Sequence, residues 1–534
     1  MKTKVAHPQG GNKMTAKRQK AKTLTGNAMT TSCSGSDIHL GGKKRTAGLS
    51  FRHTPLWKTL RPLVLVVLIM TFFPSCTTIE ATGERHLSFI GRDQEVEMGK
   101  SSNRDIVATM GLYDDDELQA YVQRLGAQIA ATTERPELPW TFQVIDDDAI
   151  NAFAVPGGYV YLTRGILAHF ENEAQLAGVL GHEIAHITAK HSVIRMSKSM
   201  VTQLGLGIAT IAVPELREFA SLLGQGMQLL FLKFSRDDET ESDRLGIRYM
   251  ANINKDPQQL LDVMKMLGQV SEASEGGRLP QWASTHPLPE NRFDYIRSRI
   301  AQSPSRNYAP VERQTYLSFL DGMVYGDNPR NGIIRQSTFY HPDMEFQMDF
   351  ADGWQIINQR GAVIGLSPQK DAVVQMTLAK GENPRQALRS FLGQRGITAL
   401  RSSGHMLNGF TAANGQFRAT TQQGKIQGLV MFIADGDRLY QLVGYTSRQK
   451  WGAYTEEIDI PFRSFERLQE SRYRNVEPRH LQIVELSSAE SLSDLHARYQ
   501  VEIPLEELAR LNQMESSAVL PEGSFAKIVR GSIP

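Results

Sequence analysis

His182-Glu183-Ile184-Ala185-His186 is the stretch on which the reading of this 534-residue chain turns. On a helix, residues four apart share one face, so His182 and His186 can grip a single metal ion while Glu183 points at the adjacent coordination position. Two imidazoles and a carboxylate so placed are the physical content of the H-E-x-x-H pattern, which denotes hydrolysis at zinc. A five-residue pattern can also arise by chance, so the flanking residues carry the decision.

They favour a helix. Leu176, Val179, Leu180, Glu183 and Ile187 recur at three- and four-residue spacing, and no proline interrupts residues 171–192. Catalytic zinc usually keeps three protein ligands, so one more must come from elsewhere. His191 does not fit: a third histidine ten residues after the first would stand at Ser192. It reads as an ordinary surface histidine near a helix end. The better candidates are Glu239 and Asp243, four apart in the acidic run 236–246. On a second helix one could bind metal while the other accepts a hydrogen bond from a ligating imidazole. The same run also reads as a solvated helix face. Glu241 lies about 200° round the helix from Glu239, off that face.

Four further segments accompany these motifs: Tyr121-Val122 to Pro139-Trp140-Thr141-Phe142, the strand Asn151-Ala152-Phe153-Ala154-Val155-Pro156-Gly157-Gly158-Tyr159-Val160-Tyr161, Ser235-Arg236, and Thr285-His286-Pro287-Leu288-Pro289-Glu290-Asn291-Arg292. With them, residues 90–300 resemble the gluzincin metalloproteases that include HtpX and the CaaX prenyl endopeptidases, and most of all the periplasmic BepA-like and LoiP-like proteases. The resemblance implies one Zn2+ per chain held by His182, His186 and Glu239, with Glu183 as general base and Asp243 supporting a ligand. In BepA-like relatives the histidine of the Thr-His-Pro segment can occupy the open metal position. His286 is therefore a candidate fourth ligand or transition-state donor, with a plain loop histidine as the alternative. Asn151 could bond the backbone of a substrate laid along a strand edge, or could simply cap a turn.

The first sixty residues are basic, with Asp37 their only acid, and lack hydrophobic periodicity. Such a segment cannot bury a core. The uncharged run Leu63 to Phe73 has the length of a signal-peptide core and falls short of a membrane span. Cys76 follows at once and is the expected lipidation site, with ordinary signal cleavage or an uncleaved anchor as alternatives. The expectation is a periplasmic protein held at the outer membrane as a lipoprotein. Beyond residue 62 the chain carries 46 Lys+Arg against 56 Asp+Glu, a net charge near −10. That balance speaks against a nucleic-acid partner.

The fold class expected is α+β in three parts after the tail of residues 1–76. A mainly helical zincin domain with a small sheet covers 83–303, including a buried or groove-lining helical hairpin over 201–232. A connection over 304–333 leads to an α+β accessory domain at 332–470, with strands at 345–350, 372–378, 429–433 and 439–443 and a helix at 385–392. A βααβ element at 480–531 resembles a LysM module, which in relatives binds peptidoglycan-type glycans. The leading functional expectation is an envelope zinc endopeptidase acting on misfolded or misassembled envelope proteins. The alternative is an envelope chaperone or peptidoglycan-binding scaffold whose metal site is latent.

Overall fold

Helix α4 (Glu173–Thr188) is the axis on which the rest is assembled. Asn172 caps it, its side chain accepting from Gln175 N at 3.0 Å, which satisfies one of the free amides of the first turn. Every residue from Ala174 to Thr188 is buried, so Leu176, Val179, Leu180, Ile184 and Ile187 each remove a full apolar side chain from water, worth about 1.5–3 kcal/mol apiece. The computed structural model describes residues 76–205, 233–273, 282, 285–286, 290–302, 306–421 and 424–531. The expected signal segment lies outside these residues, as does the expected hairpin over 201–232 except for 201–205. All described elements belong to one compact unit, Pro74–Pro534, mixed α+β in class. No described helix is long and apolar enough to cross a membrane.

Around α4 lie α1 (Arg92–Met110), α2 (Asp116–Ala130) and α3 (Arg164–His169), then α5 (His191–Gly205), α6 (Arg236–Asn252), α7 (Gln258–Ala273) and α8 (Glu290–Gln302). A three-stranded sheet completes this part: β1 (Thr141–Ile145), β2 (Ala152–Val155) and β3 (Tyr159–Thr163), in the order β1-β3-β2. β1 runs parallel to β3, and β2 antiparallel to it on the outer edge. The segment 151–161, which reads from sequence as one strand, is therefore a hairpin. Gly157 and Gly158 make the turn with φ of 86° and 100°, a conformation that side chains disfavour.

Two features fix α4 against its neighbours. At its far end, Arg135 pairs with Glu95 at 2.8 Å and donates to the Ile187 carbonyl at 2.9 Å, both groups buried. Along its flank it meets α6 where each helix has a glycine: a Cβ on Gly246 would stand 3.2 Å from His182 N, and one on Gly181 would stand 3.3 Å from Gly246 O. α6 itself starts with a complete capping box between Ser235 and Asp238.

The stretch read as a connection is more structured than expected. It contains the helix Arg313–Ser318, whose Tyr316 and Leu317 are fully buried in the core around α4. Beyond it comes a seven-stranded antiparallel sheet made of β4 (Gln355–Gln359), β5 (Ala362–Leu366), β6 (Ala372–Ala379), β7 (Ile397–Leu407), β8 (Phe410–Thr421), β9 (Gly424–Asp435) and β10 (Arg438–Ser447). Its order is β7-β8-β9-β10-β6-β5-β4. α9 (Pro384–Leu392) covers one face through Leu388 against Phe417, Val430 and Phe432. α10 (Trp451–Ser464) covers the other through Ile458 and Phe462 against Val374, Met431 and Leu442. The alternation of β9 between these two cores is the two-residue period of a strand buried on both faces.

The C-terminal residues form the expected order of β11 (His480–Glu485), α11 (Leu492–Tyr499), α12 (Leu505–Leu511) and β12 (Phe525–Arg530), with β11 and β12 paired antiparallel. Their apolar side chains, among them Leu481, Leu495, Leu508 and Ile528, are continuous with the core around α4. Lys527 is fully buried. Its ammonium donates to Ala168 O at 2.9 Å and Phe170 O at 3.0 Å and pairs with Glu171 at 2.8 Å, just before the cap of α4. Arg313 donates to Glu171 at 2.6 Å, and Gln513 bonds both His169 O and the Gln175 side chain.

Candidate metal centre

α4 and α6 bring the sequence-predicted donors together. One ligand atom each from His182, His186, Glu239 and His286 lies within 4.8 Å of the others, and all four side chains are buried. His182 Nε2 stands 3.1 Å from His186 Nε2 and 3.3 Å from His286 Nδ1. Glu239 Oε1 is 3.0 Å from His286 Nδ1 and 3.5 Å from His186 Nε2. Three imidazoles with ring nitrogens converging on one point beside a carboxylate form a donor set suited to a divalent cation of the zinc type.

The distal ring nitrogens are held from behind. His182 Nδ1 lies 3.0 Å from Asp243 Oδ1, leaving Nε2 toward the cluster. This carboxylate–histidine contact fixes the ring's orientation. His186 is held by a partner not foreseen: its Nδ1 lies 3.0 Å from His191 Nδ1, and His191 Nε2 lies 3.3 Å from Glu241. Reading His191 as a surface residue is thus corrected. Lys190 adopts a left-handed φ of 56°, which ends α4 and starts α5 at His191, turning that ring inward to a relative exposure of 5%. Glu241 stays outside the donor set and serves His191.

Three more residues complete the site. The Arg292 guanidinium donates to both oxygens of Asp243, at 2.8 and 2.7 Å, and pairs with Glu239 Oε2 at 2.9 Å, so one rigid fork positions both carboxylates of α6. Trp282 stacks on His286 with ring centres 4.9 Å apart and directs its indole N–H toward Glu183 Oε1 at 3.4 Å. Its backbone N–H also donates to Ile150 O, beside the edge strand β2. Phe234 lies against the His186 ring, with centres 3.9 Å apart. None of these contacts has a sequence period: Arg292 reaches back 49 residues to Asp243, and Trp282 reaches 99 to Glu183. The one available signal for Arg292 was its place at the end of the Thr-His-Pro segment.

The electrostatics follow from burial and these pairings. Burial alone lowers the pKa of His182, but its bonds to Asp243 and Glu239 outweigh that and raise it to about 9. Burial holds His186 well below the ordinary histidine value, and the neighbouring His182, His191 and His286 push the same way. Burial would raise Glu239, yet His286 and His182 bring it well below the usual carboxylate range; burial would likewise raise Asp243, and Arg292 and His182 lower it instead. Glu183 is fully buried, and its Oε2 has no hydrogen-bond partner among the described residues, so one carboxylate oxygen is free beside the cluster. Asn151 sits at the start of β2, its backbone bonded to Thr163 and its buried Oδ1 without a hydrogen-bond partner among the described residues. Cys76 is the first described residue, and its backbone pairs with Leu87 in a short two-stranded sheet.

Fold and site together define a helix-borne histidine/carboxylate centre of the zincin kind, and comparison with known proteins names its family. Residues 116–300 match the profile of Peptidase family M48. The chain is 33% identical over 234 residues to the beta-barrel assembly-enhancing protease of Yersinia pestis, covering 42% of this chain and 47% of that one. It is 31% identical over 252 residues to the mitochondrial metalloendopeptidase OMA1 of Schizosaccharomyces pombe, covering 46% of this chain and 70% of that one. The chain belongs to Peptidase family M48. It spans about half the length of the beta-barrel assembly-enhancing proteases it matches. Among solved structures, the cyanobacterial PsbP of Synechocystis sp. PCC 6803 aligns with 26% of this chain and 95% of its own at 12% identity, with a TM-score of 0.21, too low to carry an argument.

Proposed function

We propose that this chain is a zinc-dependent endopeptidase of the bacterial cell envelope, hydrolysing peptide bonds in misfolded or misassembled envelope proteins. The observation that carries the reading is the convergence of His182, His186, Glu239 and His286 beside the free carboxylate oxygen of Glu183. His182, His186 and Glu239 are the residues that would hold Zn2+, with Asp243 orienting His182. Bound there, zinc supplies Lewis acidity, polarising a scissile carbonyl and bringing the pKa of a water toward about 7. Glu183 takes the proton from the attacking water and passes it to the departing amine. Trp282, with its N–H toward Glu183 Oε1, restricts that carboxylate to orientations facing the cluster. Asn151 Oδ1, at the head of the edge strand, is an acceptor for the N–H of an extended substrate backbone.

His286 either occupies the remaining metal position or donates to the oxygen that becomes negative at the carbonyl. Its place inside the donor cluster favours a second reading, in which the site is latent and the chain works as an assembly factor or scaffold. The envelope setting rests on the relatives named as beta-barrel assembly-enhancing proteases and on the signal-like run before Cys76. Lipidation of that residue would anchor the protein at the outer membrane, as expected for BepA-like and LoiP-like proteins. The βααβ element, read as LysM-like, would add contact with peptidoglycan.

Glu183→Gln in the zinc-loaded protein should lower hydrolysis of unfolded casein by about 10²–10⁴-fold, the usual contribution of a general base. Cleavage at the wild-type rate would end the protease reading. Loss of cleavage with intact suppression of envelope-assembly defects would favour the assembly-factor reading.

A further inference from the structure

We propose that the outer edge of the seven-stranded sheet, β7, takes up an extended acidic polypeptide as an additional antiparallel strand. The inference does not depend on the protease reading and concerns a different part of the molecule. The sheet has two edges of unequal character. β4 is five residues long, and side chains around it tie that edge inward, Asn358 to Asn331 O at 3.0 Å and Arg360 to Leu112 O at 3.3 Å. β7 is eleven residues long and pairs only with β8 among the described residues. Residues Thr398 to Met406 are all exposed, Met406 at 64%.

Natural sheets blunt such edges with proline, lysine, short strands or bulges, because an open row of N–H and C=O groups is a template for another strand. β7 has no proline and no lysine. Its one irregularity, a register shift between Ala399 and Arg401, leaves Arg401 to Leu407 in unbroken pairing with β8. A regular stretch of seven residues therefore offers main-chain hydrogen bonds along its outer side.

Charge selects the occupant. Residues 384–434 contain no Asp or Glu, although the chain beyond residue 62 is acidic overall. Arg385, Arg389, Arg395 and Arg401 are exposed, and none is in an ion pair with a described residue. The Arg385 guanidinium, from α9, lies over the strand at Gly404, where a Cβ would meet its Nε at 2.6 Å. Arg401 is three positions away along β7 and so projects from the opposite face. An incoming strand, whose side chains alternate between the two faces, would meet a guanidinium on each. A second copy of this chain fits poorly, since self-pairing would bring the same arginines together with no carboxylate between them. A lipid headgroup could answer the charge but would leave the backbone edge unpaired.

The probe is a fluorescein-labelled twelve-residue peptide of alternating Thr, Val and Glu, added to the full chain, with a version carrying Lys for Glu as control. Binding of the Glu peptide alone is expected, read by anisotropy, together with slowed hydrogen exchange of amides in 401–407. The double variant Arg385→Glu/Arg401→Glu should bind roughly tenfold more weakly or worse, and Arg385→Lys/Arg401→Lys should keep most of the affinity, both with wild-type circular dichroism. The proposal is overturned by absence of peptide binding, by equal binding of the Lys peptide, or by binding without protection of β7. It is equally overturned if the same variants abolish only attachment to vesicles of phosphatidylcholine and phosphatidylglycerol, or only self-association. Casein hydrolysis by the charge-reversed variant separates this outcome from the fate of the protease reading.

Discussion

Helix α4 has a cluster of buried charged and polar groups at each end, and the two are built to opposite rules. Before its first turn, Lys527 has three N–H donors and three fixed acceptors, two carbonyls and the Glu171 carboxylate, with Arg313 on the other Glu171 oxygen. At the start of its second half, three imidazoles aim at one another and Glu183 keeps an oxygen without a hydrogen-bond partner among the described residues. Lys527 is as fully buried as Glu183, so burial does not separate an architectural charge from a chemical one. The arrangement does: at one end a single cation sits among three oxygens, at the other four ligand atoms converge within 4.8 Å of one another.

The sharpest way to break this contrast is Lys527→Met. If the Lys527 cluster is architectural, removing the cation leaves two buried carbonyls and Glu171 Oε1 without it, Arg313 remaining on the other oxygen, and the unfolding free energy in urea should fall by about 3–5 kcal/mol. An unchanged midpoint would mean that the C-terminal element contributes little to the start of α4.

A smaller effect is expected from pH, at the same end of the helix. Burial lowers the pKa of His169 to about 4, with Lys527 and Arg510 acting in the same direction. Below pH 6.5 the unfolded chain takes up a proton that the folded one refuses until about pH 4. Stability is therefore full above about 6.5 and lost progressively down to about 4, by about 3 kcal/mol at most. His169→Gln should flatten that part of the stability profile; an identical slope in both proteins would remove His169 as its cause.

At the other end, His191→Phe tests whether support behind a ligand matters as the geometry suggests. Zinc affinity, measured against a competing chelator, should fall about 10–100-fold, while the fold persists. Equal affinity would show that His186 needs no partner behind it.

How much of this was legible follows from how local each feature is. α4 announces itself through its period, and His182, Glu183 and His186 through spacing on one turn. Glu239 and Asp243 are four apart on α6, but that spacing serves a solvated helix face equally well, and only the resemblance to the gluzincins picks them out. The hairpin at 152–163 carries its own signal, Pro156-Gly157-Gly158, and still reads as one strand because apolar residues run through both arms. His191 misleads because a single left-handed residue, Lys190, reverses what the helical pattern suggests. Trp282 is not legible as a site residue, since nothing in its own surroundings encodes a partner 99 residues away, and Arg292 has only its place at the end of the Thr-His-Pro segment to hint at one 49 residues away. Lys527 leaves a faint trace, a lone cation within Phe525-Ala526-Lys527-Ile528-Val529, but only the fold shows the carbonyls it meets.

Gly181 and Gly246 act as the calliper of the metal centre. With no side chain at either crossing point, the main chains of α4 and α6 close to a separation that a single methyl group would widen by a few tenths of an ångström. Histidines ride on one jaw and the carboxylates Glu239 and Asp243 on the other, so that gap sets the span a cation must bridge. A cation held there would be sized by two residues that do not touch it.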